Sequence, residues 1–183
     1  MHRVVIVGGG FGGLQAALKL AAQKAGWGTP LPAGVGRGVA VQPSFASWIA
    51  TVAEVGVDAS GEVKLRRLVC VVDTGIAVNP DTIKAQLQGG LIFGLTAALF
   101  GNVTIDRGRV QQSNFHDYRM LRIDETPPID VYVIPSGEAP GGIGEAGTVA
   151  AFPALANAIF AATGKRLRSL PIDRDVLAGR KQA

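Results

Sequence analysis

The sequence predicts an α+β fold, and three observations carry that prediction. Of the 183 residues 48% are hydrophobic and 17% charged, enough apolar material for a real core. The 25 Gly and 10 Pro fall in clusters between apolar runs, as turns do where they punctuate several short strands. Two segments break the strand pattern with helical signals, one running on from Ile83 and one between Pro153 and Thr163.

The first element expected is a strand, turn and helix in VVIVGGGFGGLQAALKL, residues 4–20, with Leu14, Ala17, Leu18 and Ala21 on one helical face. Gly8, Gly10 and Gly13 have the GxGxxG spacing, in which the glycines permit a tight turn, a close pyrophosphate and close helix–strand packing. A dinucleotide fold then needs a second strand ending in an acidic residue, but the first acid is Glu54. Residues 21–38 instead read as a Gly/Pro-rich loop, so residues 1–20 form a truncated Rossmann-like start whose dinucleotide motif is vestigial.

From Val39 the pattern changes. Residues 45–57 and 63–72 are strand-favouring runs around a turn at residues 58–61, which predicts a β-hairpin. Asn79, Pro80 and Asp81 are cap, first-turn and dipole signals for a helix, with Ile83, Leu87 and Leu91 along a stripe that extends to about Phe100. Gly89, Gly90 and Gly94 lie inside it. Glycine in a helix costs about 1 kcal/mol relative to alanine, so either a ligand or a packed neighbour is expected close to that backbone. A second hairpin is expected around residues 106–109, a strand over 130–135, and a helix from Pro153 to Thr163 stopped by Gly164. Residues 39–172 make the main domain and residues 173–183 a tail.

Composition excludes several functions. The net charge of +4 is spread along the chain without interleaved aromatic residues, which argues against nucleic acid. The one cysteine, Cys70, excludes an internal disulfide and a cysteine-ligated iron–sulfur cluster, and its apolar neighbours predict a buried thiol. The unbroken apolar run 91–100 is too short for a membrane span, and the glycines at 8–10 interrupt what a signal peptide would need; the compartment is left open, cytoplasmic by default.

The chemistry concentrates in GEAPGGIGEAG, residues 137–147, where five glycines surround two carboxylates. Such a loop can bring its backbone against a bulky ligand while presenting Glu145. Pairing Glu138 with Glu145 as glycosidase carboxylates lacks the opposed geometry and aromatic platforms of a sugar cleft. His116 and Asp117 in NFHDY read as satisfied polar loop residues or as pocket groups, since a lone His makes no metal site.

GGIGEAG followed by ANAIFAATGKRLRSLPI resembles the end of the large subunit in the xanthine dehydrogenase and aldehyde oxidase family. KAGWGTPLPAGVGRGVAV, VDTGIAVNPDTIKAQLQGGLIFGL and QQSNFHDYRMLR are similar, in the same order, to its isoquinoline 1-oxidoreductase β-subunit branch. The resemblance spans about residues 20–172 and implies a partial molybdopterin-binding domain of mixed sheet and helices, part of a longer subunit. It also implies hydroxylation of an N-heteroaromatic compound or oxidation of an aldehyde, with water as the oxygen source.

The residues carried over are Glu145 as catalytic base, buried enough to hold and release a proton near working pH, and Gln86, Gln88, Gly89, Gly90, Gly142, Ile143 and Gly144 as contacts of a molybdenum–pterin cofactor. Where xanthine oxidases have a second glutamine beside the glycine at 94, this chain has Phe93. Phe115 and His116 are substrate-pocket candidates. No protein metal ligand is implied, because the pterin sulfurs hold the metal. The implied partners are the remainder of the large subunit, a small iron–sulfur subunit and a small heteroaromatic or aldehyde substrate. Residues 1–20 resemble instead the FAD-binding start of type II NADH dehydrogenases, which makes FAD the competing cofactor and leaves an FAD/NAD-binding oxidoreductase fragment, or a non-catalytic remnant, as the alternative readings.

Overall fold

A computed structural model describes residues 12–180. Gly8, Gly10 and the strand expected over residues 4–7 lie outside the described residues.

The hairpin forms where the two strand-favouring runs flank residues 58–61: β2 (Ser47–Val57) and β3 (Val63–Asp73) pair antiparallel. Asp58 makes the turn between them, its Oδ1 accepting the backbone N–H of Ser60 and of Glu62. β1 (Val35–Ser44) pairs antiparallel with β2, and β6 (Ile129–Val133) pairs parallel with β3, giving one mixed sheet in the order β1-β2-β3-β6. The parallel step requires a crossover, supplied by α2 (Pro80–Phe100) and the small hairpin β4 (Ile105–Asp106) and β5 (Arg109–Val110).

Strand alternation divides the core in two. Ile49, Ala53, Val55, Leu68, Cys70 and Val72 pack with α2 and α3 (Ala146–Thr163), whereas Ala50, Val52, Val69 and Val71 pack with Ala17 and Ala21 of α1 (Gly12–Lys24). Each buried aliphatic side chain is worth about 1.5–3 kcal/mol of transfer free energy, so α2 and α3 on one face hold most of the fold. Cys70 is buried there as expected, and desolvation pushes its thiol up to about 12. Counted over whole helices rather than unbroken apolar runs, α2 and α3 are long and apolar enough to cross a membrane. Here part of that apolar surface, 39% of the α2 stretch and 44% of the α3 stretch, is buried in the fold, against the sheet and in the contact between the two helices.

Local signals set the start of α2. The Asn79 side chain accepts the N–H of Asp81 and of Thr82, with Pro80 next to it. Two of the three glycines inside α2, Gly90 and Gly94, meet a packed neighbour, the helix α3. A Cβ at Gly90 would lie 3.1 Å from the Thr148 N, and one at Gly94 would strike the Thr148 O and sit 2.8 Å from the Ala151 Cβ.

Three segments differ from expectation. α3 begins at Ala146 and carries Pro153 inside it. The missing proline N–H signals a helix start, but burial of Ala146, Ala150, Ala151, Ala154, Leu155, Ala158 and Ile159 extends the helix back past it. β1 begins within the expected loop and includes Gly36 and Gly38, whose bare backbone lets α3 cross: a Cβ at either would strike α3 backbone around Ala158. The expected tail folds back as α4 (Arg174–Leu177), with Leu177 in the core and Lys165 Nζ donating to the carbonyls of Val176 and Leu177.

Candidate functional site

The loop 137–147 lies at the end of the sheet, and its backbone is tied down from two sides. From the β3–α2 connection, the Ile76 N–H donates to the Glu138 carbonyl, and the Thr74 carbonyl accepts the Gly141 N–H at 2.9 Å. From the β1–β2 turn, the Phe45 carbonyl accepts the Gly142 N–H at 2.7 Å. At the start of α3, Gln42 Nε2 donates to the Ala146 carbonyl at 3.1 Å. Ile143 anchors the middle by packing on the core.

The loop glycines therefore divide into two sets. A Cβ at Gly141 would lie 2.5 Å from the Ser47 Oγ, and one at Gly142 would lie 2.8 Å from the Phe45 Cβ, so the protein's own hairpin occupies the space they leave. Gly144 is open, its nearest such neighbour being the Gln86 Nε2 at 4.0 Å.

Glu145 immediately precedes α3, with φ −118° and ψ −5°, and its side chain makes no capping hydrogen bond. Its carbonyl accepts the Thr148 N–H at 2.9 Å, which starts the helix. The carboxylate is exposed, and among the described residues it has no ion-pair or hydrogen-bond partner. A negative charge is favourable at a helix N-terminus. The burial expected of a catalytic base is not supplied by the described residues, because nothing here covers this corner of the fold.

Helical geometry separates the two glutamines of QLQGG. Residues two apart point about 200° apart around an α-helix. Gln86 Nε2 accordingly reaches the Gly144 carbonyl at 3.4 Å, while Gln88 Nε2 turns to the Ile129 carbonyl at 3.2 Å. Gly89 and Phe93 share the Gln86 side of the helix by their three- and seven-residue spacing; both are exposed, and a Cβ at Gly89 would meet nothing within 4 Å. Gly90, as described above, is taken up by α3. Gln86 thus meets the loop at Gly144, next to Glu145, with Gly89 on the same side of α2, whereas Gln88, Gly90, Gly142 and Ile143 serve contacts inside the fold.

Phe115 and His116 lie elsewhere, on the connection between β5 and β6. Asp117 closes a turn there by accepting the N–H groups of Asn114 and Ser113 and the Ser113 hydroxyl, which holds its carboxyl down at about 2. His116 Nε2 stands 3.6 Å from that carboxylate with its side chain 75% exposed. No hydrogen bond among the described residues joins this segment to the loop. Gly13 is also committed: a Cβ there would lie 2.5 Å from the Trp48 Cδ1 and 3.0 Å from the Asp73 Oδ2.

Sequence reasoning missed the groups that hold the loop: Gln42, Ser47, Thr74 and the Phe45-Ala46 turn. The turn left no signal because Phe45 and Ala46 both have left-handed φ, +51° and +60°, where Asn or Gly is the usual residue.

The arrangement can be tested against a pterin-type cofactor, a flat group with a hydrogen-bonding edge that needs bare backbone and amide partners. Gly89 and Gly144 provide open backbone, Gln86 an amide, and Phe93 an exposed apolar ring on the same side of α2. These residues fit one side of such a group.

A family model described as molybdopterin cofactor-binding domain matches residues 17–127. The chain is 42% identical over 164 residues to a membrane-bound aldehyde dehydrogenase [pyrroloquinoline-quinone] of Gluconacetobacter polyoxogenes, covering 86% of this chain and 21% of that protein. It is 40% identical over 151 residues to the isoquinoline 1-oxidoreductase subunit beta of Brevundimonas diminuta, covering 82% of this chain and 19% of that one. The chain therefore spans about a fifth of the length of these relatives. Among solved structures, quinoline 2-oxidoreductase from Pseudomonas putida 86 superposes with a TM-score of 0.65 over 70% of this chain and 18% of its own, at 22% identity, a likeness of fold.

Proposed function

The chain belongs to the molybdopterin cofactor-binding domain family, and on that premise we propose that it is the C-terminal part of the large subunit of a molybdenum hydroxylase. Its substrate is an N-heteroaromatic compound or an aldehyde, and water supplies the oxygen. The observation that carries this reading is the free carboxylate of Glu145, which follows Gly144 where Gln86 of α2 meets the tied-down loop.

Gln86, Gly89 and Gly144 would hold one side of the molybdenum–pterin cofactor through an amide and bare backbone. When bound, that group supplies a Lewis acid that acidifies water-derived oxygen and takes up the electrons of substrate oxidation. Glu145 acts as general base: a carboxylate Oε accepts the proton of the attacking oxygen and later gives it up. Its backbone moves little during the transfer because the loop is bonded at Gly141 and Gly142 and the helix begins at the next residue. The remainder of the large subunit covers this corner, excludes water and supplies the burial the base needs. A small iron–sulfur subunit takes the electrons onward, in keeping with the single cysteine of this chain.

The test uses the chain assembled with the rest of its subunit. Elemental analysis and fluorescence of released pterin are expected to find molybdenum and pterin, and Glu145→Gln is expected to keep both while turnover falls about 10²–10⁴-fold. Stoichiometric flavin or pyrroloquinoline quinone without pterin would overturn the cofactor assignment, and full turnover by Glu145→Gln would overturn the role of the base.

A further inference from the structure

Ser47, Thr51, Thr74 and Thr96 are buried polar side chains of the described core. Thr51 donates to the Cys70 sulfur inside the hairpin, and Thr96 accepts the Leu121 N–H. Ser47 and Thr74 are different: they meet each other at 2.8 Å, and both also reach the loop that presents Glu145. Ser47 Oγ lies 2.9 Å from the Gly142 carbonyl, and Thr74 Oγ1 lies 3.2 Å from the Gly141 carbonyl.

A hydroxyl has one proton to donate and can also accept, so these three contacts cannot all carry a proton at once. Keeping a proton in the 2.8 Å Ser47–Thr74 contact leaves two arrangements, each filling two of the three contacts. Either Thr74 donates to Ser47 and Ser47 to the Gly142 carbonyl, or Ser47 donates to Thr74 and Thr74 to the Gly141 carbonyl. One loop carbonyl is gripped in each, and loss of either hydroxyl leaves the other able to grip its own.

The backbone bonds described above reinforce the grip, with the Phe45 carbonyl on the Gly142 N–H and the Thr74 carbonyl on the Gly141 N–H. The first of these needs Phe45 and Ala46 in left-handed conformations that non-glycine residues avoid, and such strain persists only where the surroundings enforce it.

We propose that Ser47 and Thr74 are positioning residues, a two-hydroxyl latch that fixes Gly141 and Gly142 and thereby the place of the Glu145 carboxylate. The inference rests on the reading of Glu145 as the base. The latch acts through the loop and touches neither substrate nor cofactor.

The test compares the 183-residue chain with its Ser47→Ala, Thr74→Val, doubly substituted and Thr74→Ser forms, by amide hydrogen exchange and by the carboxyl carbon signal of Glu145 in NMR. In the double variant, exchange at Gly141 and Gly142 is expected to rise about tenfold, the factor that losing one ordinary hydrogen bond implies. The Glu145 signal should broaden or split, while the amides of Val52 and Val69 in the β2–β3 ladder keep their protection. Each single substitution should give a smaller rise, and Thr74→Ser should match the parent. If the double variant does not fold, the isosteric Thr74→Val carries the test alone through the same signals.

Unchanged loop exchange and an unchanged Glu145 signal would overturn the proposal. So would a parallel rise at Val52 and Val69, or a Thr74→Ser form as loose as Thr74→Val. Glu145→Gln separates the latch from the base: if it leaves loop protection intact yet does not lower turnover in the assembled enzyme, the base reading fails while the latch remains a property of the fold.

Discussion

Gly89 and Gly94 both interrupt α2, yet alanine at the two positions should move stability in opposite directions. At Gly89 an added Cβ meets nothing within 4 Å. Gly89→Ala therefore gains only the helix propensity of alanine, about 1 kcal/mol. At Gly94 the same methyl strikes the Thr148 carbonyl and lies 2.8 Å from the Ala151 Cβ. Backbone cannot rotate out of the way as a side chain can, so the cost falls at the upper end of the overpacking range, about 3 kcal/mol. With the propensity gain offset, Gly94→Ala should lose about 2 kcal/mol. For a domain of this size that lowers Tm by about 4–8 °C, against a rise of about 2–4 °C for Gly89→Ala. Thermal unfolding followed by circular dichroism measures both. A Gly94→Ala protein at least as stable as the parent would show that α2 and α3 do not cross in contact there. A Gly89→Ala protein that is more stable yet holds less pterin in the assembled subunit would place the cofactor on that open backbone.

Other perturbations probe the rest of the fold. Arg37 and Glu54 form an ion pair at 2.8 Å with side chains only 10% and 15% exposed, and Arg37 also donates to the Gly26 carbonyl; Arg37→Ala should cost about 3–5 kcal/mol in chemical denaturation by stranding Glu54, whereas Arg37→Met with Glu54→Leu should cost far less. The Asp117 carboxyl is held below its ordinary 3.8, at about 2, chiefly by the backbone N–H groups of Asn114 and Ser113. The stability it contributes is thus complete above about pH 4 and is lost as pH falls towards 2; the Ser113 and Asn114 amide resonances should shift in that window, and in Asp117→Asn they should not. Cys70, with its thiol raised to about 12 by burial, should resist alkylation at pH 8 in the folded chain and react at once in denaturant.

What the sequence showed plainly was local. The β2–β3 hairpin and α2 could be read from strand-favouring runs around Asp58 and from the cap at Asn79, because their causes lie within a few residues of their effects. What it concealed depends on partners far along the chain. Gly36 and Gly38 look like loop residues until α3 is seen crossing them, and Pro153 looks like a helix start until the buried alanines before it are counted. The loop 137–147 stood out by composition, but composition makes every glycine in it equivalent. Only the packing shows that Gly141 and Gly142 make room for the hairpin while Gly144 faces open space.

The position of Glu145 follows from two anchors of different kind. Upstream, Gly141 and Gly142 are fixed by hydrogen bonds to Phe45, Ser47 and Thr74 at the end of the sheet. Downstream, Gly147 is pressed against α2, where a Cβ would lie 2.8 Å from the Leu87 carbonyl and 3.2 Å from the Leu91 N. The carboxylate sits between a polar clamp and an apolar helix crossing, so both must hold for it to keep its place. Separating the helices by a methyl at Gly94 should therefore shift Glu145 relative to Gln86 even though neither residue is altered. A Gly94→Ala protein in which the Gln86 side-chain amide resonances stay unchanged would mean that the clamp alone sets the site.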